Sequence, residues 1–182
     1  MPRAESRAPG CSTKWLSTSI AGVEEEMAKI KATPVTLTPI DAAGLKALRE
    51  NATSNKTIVV SFWQTGNRIA EQQFFDLQTS YRMYAGSPRP FDMITVSTDA
   101  AAKSDAVLNY LKGQYATTTN KQLAVEMAAA QAAFGAKWNP AQPFTVVIGP
   151  DGKLVYQKEG RLDIHALRRY VLATIPENPG WP

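Results

Sequence analysis

The segment that most constrains the fold of this chain is Thr57–Trp63, with the sequence Thr-Ile-Val-Val-Ser-Phe-Trp. A nearly unbroken row of β-branched and aromatic residues predicts a strand that is covered on both faces. Such a strand lies in the interior of a sheet, with helices packed on either side. We therefore expect an α/β domain in which Thr57–Trp63 is a central strand.

The segment after this strand predicts a long helix and then a second strand. Apolar residues recur at gaps of four and three, the spacing of one helical face: Ala70, Phe74, Leu77, Tyr81 and Tyr84. Pro88 and Pro90 end the connection, and Met93–Ser97 predicts the next strand. Strand, helix and strand in this order predict a parallel pair joined by a right-handed crossover.

The C-terminal half predicts two helices, a hairpin and a last helix. The two helices are marked by the apolar residues of Val107–Tyr115 and Met127–Phe134. Phe144–Ile148 and Leu154–Lys158 flank a Gly-Pro-Asp-Gly turn, which indicates an antiparallel β-hairpin. Asp163 is the expected cap of the last helix, whose buried stripe is Ile164, Leu167, Val171 and Ile175.

The region before the central strand predicts a short strand at Val35–Leu37 and a helix that ends near Asn51. In this prediction Thr38 is the helix cap, Pro39 takes the first helical position, and the carboxylate of Asp41 follows two residues later.

The domain organisation follows from these elements. With 182 residues, 44% of them hydrophobic, the chain suits one domain with a well-buried core. We expect a flexible arm over 1–14, an amphipathic helix over 15–33, the main domain over 34–175 and a proline-rich tail over 176–182. The helix could dock on the domain, pair with another chain or lie on a membrane surface.

The composition excludes several functions. Cys11 is the only cysteine and His165 the only histidine, so an intramolecular disulfide or a cysteine-based metal site cannot form. The net charge of +4 is modest and its basic residues are scattered, which argues against nucleic-acid binding. No apolar run reaches the about 18 residues of a membrane span. We expect no metal and no cofactor.

A resemblance to a known family enters at the end of the central strand. Val59–Thr65, Val-Val-Ser-Phe-Trp-Gln-Thr, resembles the strand that leads into the active site of TlpA and ResA type thioredoxins, commonly V-V-x-F-W-A-T. In that family W-C-x-x-C follows. Here the next residues are Gly-Asn-Arg-Ile-Ala, so Asn67 and Ala70 take the two cysteine positions.

Other segments extend the resemblance over about residues 34–175. Gln142–Thr145 resembles the family loop in which a cis proline faces the active site, and Ile148–Tyr156 resembles its hairpin, I-x-x-D-G-x-V-x. Three further segments look like a TlpA-like redoxin subgroup: Thr118–Asn120, Lys137–Trp138 and Gly160–Leu167. The resemblance implies a thioredoxin-like fold, a mixed β-sheet flanked by helices, with the N-terminal amphipathic helix as an addition.

The substitutions remove the family's chemistry. Thiol–disulfide exchange needs a thiolate that attacks a sulfur. Asn67 has no ionisable atom, and its carboxamide oxygen is instead a ready cap for the helix that follows. Ala70 cannot resolve a mixed disulfide, so we expect no catalytic residue at these positions.

The resemblance also implies a peptide-binding surface around the altered site. In the family this surface holds an extended peptide beside the proline through backbone hydrogen bonds. The corresponding binding residues here are Trp63, Gly66, Arg68, Gln142 and Pro143. The alternative is that Trp63 packs in the core and Pro143 shapes a loop without any ligand.

The sequence thus favours a redox-inactive thioredoxin-like module that binds a protein or extended peptide near Pro143, in the bacterial cell envelope or periplasm by resemblance, with the cytoplasm as the alternative. The alternative function is a TlpA-like thiol–disulfide oxidoreductase that acts through Cys11 or a partner's cysteine. Gly10 and Cys11 resemble the end of a bacterial lipoprotein signal, so Cys11 is a candidate for lipidation and, through it, for membrane attachment. A free cysteine in the arm is the other possibility.

Overall fold

The structure, a computed structural model, describes residues 13–85 and 91–174. The chain divides into an N-terminal unit, which ends at Pro34, and a main unit, which begins at Val35. The described part of the N-terminal unit is helix α1, Thr13–Ala32, as the sequence predicts. On α1, Lys29 forms ion pairs with Glu25 at 3.0 Å and Glu26 at 3.3 Å.

The main unit alternates strands and helices. Its elements in chain order are β1 Thr38–Ile40, α2 Ala42–Glu50, β2 Ile58–Trp63, α3 Arg68–Ala85, β3 Asp92–Ser97, α4 Ser104–Gly113, β4 Thr119–Leu123, α5 Met127–Phe134, β5 Phe144–Ile148, β6 Leu154–Glu159 and α6 Ile164–Thr174. A short 3₁₀ turn, Ala101–Lys103, precedes α4. None of the described helices is long and apolar enough to span a membrane.

The strands form one mixed six-stranded sheet in the order β1-β4-β3-β2-β5-β6. The β1–β4, β4–β3 and β3–β2 pairs are parallel, whereas β5 is antiparallel to both β2 and β6. All six residues of β2 are buried. The prediction of a central strand followed by a parallel partner and an antiparallel hairpin is therefore confirmed.

The two faces of the sheet carry different helices, because successive side chains of a strand point to opposite sides. Ile58, Val60 and Phe62 of β2 pack with residues of α2 and α5. On the other face, Val59 packs with α3 and α6, and Trp63 packs with α3 and α4.

The predicted elements before β2 are shifted. The first strand is Thr38–Ile40 rather than Val35–Leu37, and Thr38 and Pro39 belong to this strand, not to the start of a helix. Asp41 is the N-cap of α2, where its Oδ1 accepts a hydrogen bond from Gly44 N at 2.8 Å. The reason is tertiary, since Thr38–Ile40 pairs in parallel with β4.

Strand β4 is the element that the sequence analysis misses. Its residues Thr-Asn-Lys-Gln-Leu are mostly polar, so they show no hydrophobic alternation. Asn120 is nevertheless buried and accepts hydrogen bonds from Thr95 Oγ1 at 2.8 Å and Thr118 Oγ1 at 2.9 Å, while its Nδ2 donates to Thr36 O at 3.3 Å. Because these hydrogen bonds satisfy the polar groups of β4, burying this polar strand costs little free energy.

The last helix begins as predicted. Asp163 Oδ1 accepts hydrogen bonds from His165 N at 2.9 Å and Ala166 N at 3.1 Å, and the bond from Ala166 is the main reason that the pKa of Asp163 is lowered. Four of the predicted features lie wholly or partly outside the described residues: Pro88 and Pro90, Ile175, the tail over 176–182 and the arm over 1–14 that contains Cys11. The last two residues of that arm, Thr13 and Lys14, instead begin α1.

The turn between β5 and β6 packs against the end of α2. Arg49 Nη1 donates to Gly152 O at 2.8 Å, and Asn51 Nδ2 donates to Gly149 O at 2.8 Å. Gly152 has a φ of +75°, and a Cβ atom there would lie 2.5 Å from Glu50 O. The backbones are therefore too close to admit any side chain at Gly152.

Replacing this glycine gives a sharp stability test. Gly152→Ala should lower the free energy of unfolding by about 1–2 kcal/mol for the positive φ and by about 1–3 kcal/mol more for the clash. Gly135→Ala is the matched control, because Gly135 has a φ of +69° with nothing within 4 Å of the added Cβ. Urea denaturation measures both, and equal losses would contradict the close packing of the turn on α2.

Candidate functional site

The predicted site residues converge at the carboxyl end of β2. Phe62 lies opposite Phe144 in the antiparallel β2–β5 pair. The residues that follow β2, Gln64–Asn67, therefore lie beside the loop that precedes β5. Trp63 follows Phe62 and Pro143 precedes Phe144, so these two predicted neighbours lie next to this residue pair.

Asn67 joins the two segments. Its Oδ1 accepts hydrogen bonds from Ile69 N at 3.0 Å and Ala70 N at 3.1 Å, which caps α3 as the sequence predicts. Its Nδ2 donates to Ala141 O at 2.9 Å, a contact that the sequence did not indicate. One carboxamide thus fixes both the start of α3 and the loop before β5.

The neighbours of Asn67 are held in the same turn. Gly66 has a φ of +78°, and its N–H donates to Glu71 Oε1 at 2.9 Å. Ala70 is 1% exposed and packs in the core beside Phe74. Arg68 is exposed at the first position of α3. Of these residues Gly66 and Arg68 face solvent, and Ala70 is inaccessible.

In the loop before β5, two backbone N–H groups donate hydrogen bonds to acceptors in the same loop. Asn139 Oδ1 accepts from Ala141 N at 3.0 Å, and Asn139 O accepts from Gln142 N at 3.0 Å. Asn139 N in turn donates to Glu159 Oε2 at 2.8 Å. An extended peptide cannot pair with the N–H of Gln142 unless this turn opens.

Pro143 is buried, and its carbonyl accepts a hydrogen bond from Gly160 N at 2.8 Å. Every peptide bond among the described residues is trans, so the expected cis bond before Pro143 is wrong. The trans isomer is favoured for X–Pro bonds by about 0.5–1 kcal/mol, and the Asn139–Gln142 turn leads the chain into β5 with that geometry.

Trp63 is 2% exposed and belongs to the core. Its ring centroid lies 5.0 Å from that of Phe74 and 5.1 Å from that of Tyr110. Burial, and to a lesser extent the charge of Glu71, raises the pKa of Tyr110 to about 12. The ring of Trp63 therefore packs in the core below the site. This agrees with the alternative in which Trp63 is a core residue rather than a binding residue.

Asp99 is the site residue that the sequence analysis missed. It follows β3, is 1% exposed, and accepts hydrogen bonds from Thr65 N at 2.9 Å and Thr65 Oγ1 at 2.7 Å. Ser97 Oγ donates to it at 2.9 Å. The signal available was a Ser-Thr-Asp sequence at the end of a strand parallel to β2, because the carboxyl ends of parallel neighbours lie at one edge of the sheet.

The described part of the site contains no thiol, and the described residues hold no cluster of histidine and acidic side chains that could bind a metal ion. Its polar groups are a carboxamide, a buried carboxylate, a guanidinium and backbone carbonyls. Apart from Arg68, they are largely engaged in bonds within the protein. These hydrogen bonds hold the turn after β2 in place.

The Asp99 carboxylate should be essential for this turn. Asp99→Asn replaces an acceptor with a donor facing Thr65, so we expect a loss of about 1–3 kcal/mol in the free energy of unfolding. Asp76→Asn, at an exposed position of α3, is the control and should change it by less than about 0.5 kcal/mol. Urea denaturation is the measurement, and equal behaviour of the two variants would contradict the role of Asp99.

No protein-family model matches this sequence, and no curated protein matches it. Solved structures do resemble it. A thiol:disulfide interchange protein of the thioredoxin family from Chlorobium tepidum has 18% identity and a TM-score of 0.55, covering 71% of this chain and 83% of its own. A putative thiol:disulfide interchange protein DsbE from Chlorobium tepidum has 21% identity and a TM-score of 0.56, covering 70% and 84%.

A third similar structure is a secreted thiol-disulfide isomerase from Corynebacterium glutamicum, with 12% identity, a TM-score of 0.58, and coverage of 66% of this chain and 71% of its own. At these identities the likeness concerns the fold. The strand order, the site at the end of β2 and these structures together lead to one conclusion: the chain has a thioredoxin-like fold, the one found in thiol–disulfide oxidoreductases.

Proposed function

We propose that this protein is a redox-inactive thioredoxin-like domain that binds a protein partner or an extended peptide at the surface formed by Gly66, Arg68 and Gln142. The observation that carries the proposal is the set of hydrogen bonds that the Asn67 side chain forms. At the position that the resemblance gives to the attacking cysteine, its carboxamide bonds to Ile69 N, Ala70 N and Ala141 O.

The chemistry supports the absence of turnover. Disulfide exchange requires one thiolate that attacks and a second thiol that releases the mixed disulfide. An amide performs neither step, and the methyl group of Ala70 is buried in the core. The function left to such a surface is recognition.

The hydrogen bonds of the loop limit how a partner binds. The N–H groups of Ala141 and Gln142 already have acceptors within the loop. We therefore infer that a partner is recognised through side chains, chiefly the exposed guanidinium of Arg68 and the partly exposed amide of Gln142, rather than through addition of a β-strand. Trp63 and Pro143 support this surface from the core.

We place the protein in the bacterial cell envelope, with the cytoplasm as the alternative. The support for this placement is the fold, which resembles that of a secreted isomerase. Lipidation of Cys11 stays a prediction for a residue outside the described part of the chain. Mass spectrometry of the natural protein would detect the lipid on Cys11.

Restoring the cysteines tests the assignment of Asn67 and Ala70. In a Cys11→Ser background, Asn67→Cys with Ala70→Cys should form a disulfide with oxidised glutathione, because the first helical turn brings the two sulfurs within bridging distance. Thiol titration before and after oxidation measures it. Asn67→Cys with Gln72→Cys is the control and should form no intramolecular disulfide. Its thiols can react only to mixed disulfides with glutathione, which an intact-mass measurement identifies by the added glutathione.

The same proteins separate the two candidate functions in an insulin-reduction assay. The unmodified protein and Cys11→Ser should both be inactive. Activity that Cys11→Ser abolishes would establish the oxidoreductase alternative, and failure of the Asn67 and Ala70 pair to oxidise in the folded protein would contradict the placement of the site.

The recognition surface has its own test. Partners cross-linked to the folded protein in an envelope extract should be lost, at least tenfold by quantitative mass spectrometry, in Arg68→Ala with Gln142→Ala. Arg169→Ala, an exposed arginine of α6, is the control and should retain them. Equal capture by the double variant and the control would contradict recognition at this surface.

A further inference from the structure

A second surface feature lies beside α2, on the face of the sheet that α2 and α5 cover. A groove of about 690 Å³ runs between α2 and the sheet, with Ile40, Ile58 and Ile94 as its apolar floor. We call these three residues, with Leu48 and Lys121, the α2 trough. Its volume lies within the about 300–1,000 Å³ of small-molecule sites, which are mostly apolar with a few polar groups.

The trough exists because α2 covers the sheet incompletely. Ile94 belongs to β3, which has strands on both sides, yet its side chain remains partly exposed. Helix α2 has nine residues, about 14 Å in length, and it ends at Asn51, whose Nδ2 is bound to Lys56 O and Gly149 O. The residues of α2 that line the groove include Gly44 and Ala47, which fill little space.

A cation lies between Ile94 of β3 and Ile40 of β1 in this groove, because β4 runs between these two strands. Lys121 lies opposite Val96 of β3 and Thr38 of β1, and it lines the groove beside Ile94. Its Nζ donates to Thr38 Oγ1 at 2.9 Å. None of the carboxylates within residues 13–85 and 91–174 forms a salt bridge with it.

The one acidic residue that lines the groove is placed elsewhere. Asp41 follows Ile40 at the far end of β1, three residues from Thr38, or about 10 Å along the strand. Its Oδ1 is used by the N–H of Gly44. The groove is therefore positive beside Thr38 and apolar from Ile94 to Ile58.

We propose that the α2 trough binds an aliphatic monocarboxylic acid of medium chain length. The alkyl chain lies on Ile94 and Ile58, which removes apolar surface from water, and the carboxylate pairs with the ammonium of Lys121. Charge complementarity selects this ligand over an uncharged or cationic amphiphile.

This site is separate from the one proposed for partner recognition. Lys121 lies on β4, which β3 separates from β2, and the residues that line the groove do not include Gly66, Arg68 or Gln142. The acid-binding test is thus independent of any result obtained with Arg68 or Asn67.

Calorimetric titration of the full chain with decanoate, below its micelle concentration, tests the proposal. We expect saturable binding of one decanoate per chain. Lys121→Met keeps the aliphatic stem and removes the charge, so it should weaken decanoate binding about fivefold and leave decanol binding unchanged. Ile94→Ala should weaken binding of both compounds, and Lys112→Met, an exposed lysine of α4, should affect neither.

Several outcomes would overturn the proposal. They are the absence of saturable binding, an equal effect of Lys121→Met on decanoate and decanol, and decanoate binding that neither Lys121→Met nor Ile94→Ala weakens. Light scattering tests one more outcome that would overturn it. A dimer that Ile94→Ala converts to a monomer would show that a second copy of the chain covers the trough. Thermal melting of each variant verifies that it is folded.

Discussion

Hydrogen bonding of β2 to β3 on one side and to β5 on the other fixes the positions of almost every other element. The strand is buried along its whole length, and its alternate side chains supply the two core layers. Phe62 anchors the face under α2 and α5, whereas Val59 anchors the face under α3 and α6. Because β2 is parallel to β3 and antiparallel to β5, its carboxyl end meets both the end of β3 and the start of β5. That junction is where the candidate site forms.

The polar groups at this junction stabilise the protein's own backbone. The carboxylate of Asp99 holds Thr65, the carboxamide of Asn67 holds α3 and Ala141, and Asn139 holds Ala141 and Gln142. In an oxidoreductase of this fold the helix N-terminus stabilises a thiolate. Here the same N–H groups are satisfied by an amide oxygen. Asn67, at the position that the resemblance gives to the first cysteine, therefore stabilises this turn.

The helices on the two faces of the sheet also explain why a groove lies beside α2. Three helices, α3, α4 and α6, pack on one face, and the shorter α2 and α5 pack on the other. Asn51 ends α2 and binds the hairpin turn, so the helix cannot extend over Ile94. An apolar trough that contains Lys121 is the geometric result.

Local signals in the sequence determined much of this protein. The β-branched run identified β2, the gaps of four and three identified α3, the Gly-Pro-Asp-Gly turn identified the hairpin, and Asp163 marked the start of α6. The lack of sulfur at Asn67 and Ala70 is also a property of the sequence alone. These features depend on residues close together in the chain, so their periodicity or composition is visible without coordinates.

Only the tertiary structure decided the rest, because it depends on hydrogen bonds between distant segments. Strand β4 is polar and is stabilised by Asn120 bonds to Thr95 and Thr36, and β1 takes its position from pairing with β4. The bond of Asp99 to Thr65 and the internal turn at Asn139 likewise join or close segments that carry no periodic signal. Satisfied polar groups inside a fold cost little free energy, but nothing in the local sequence states which partner each will find.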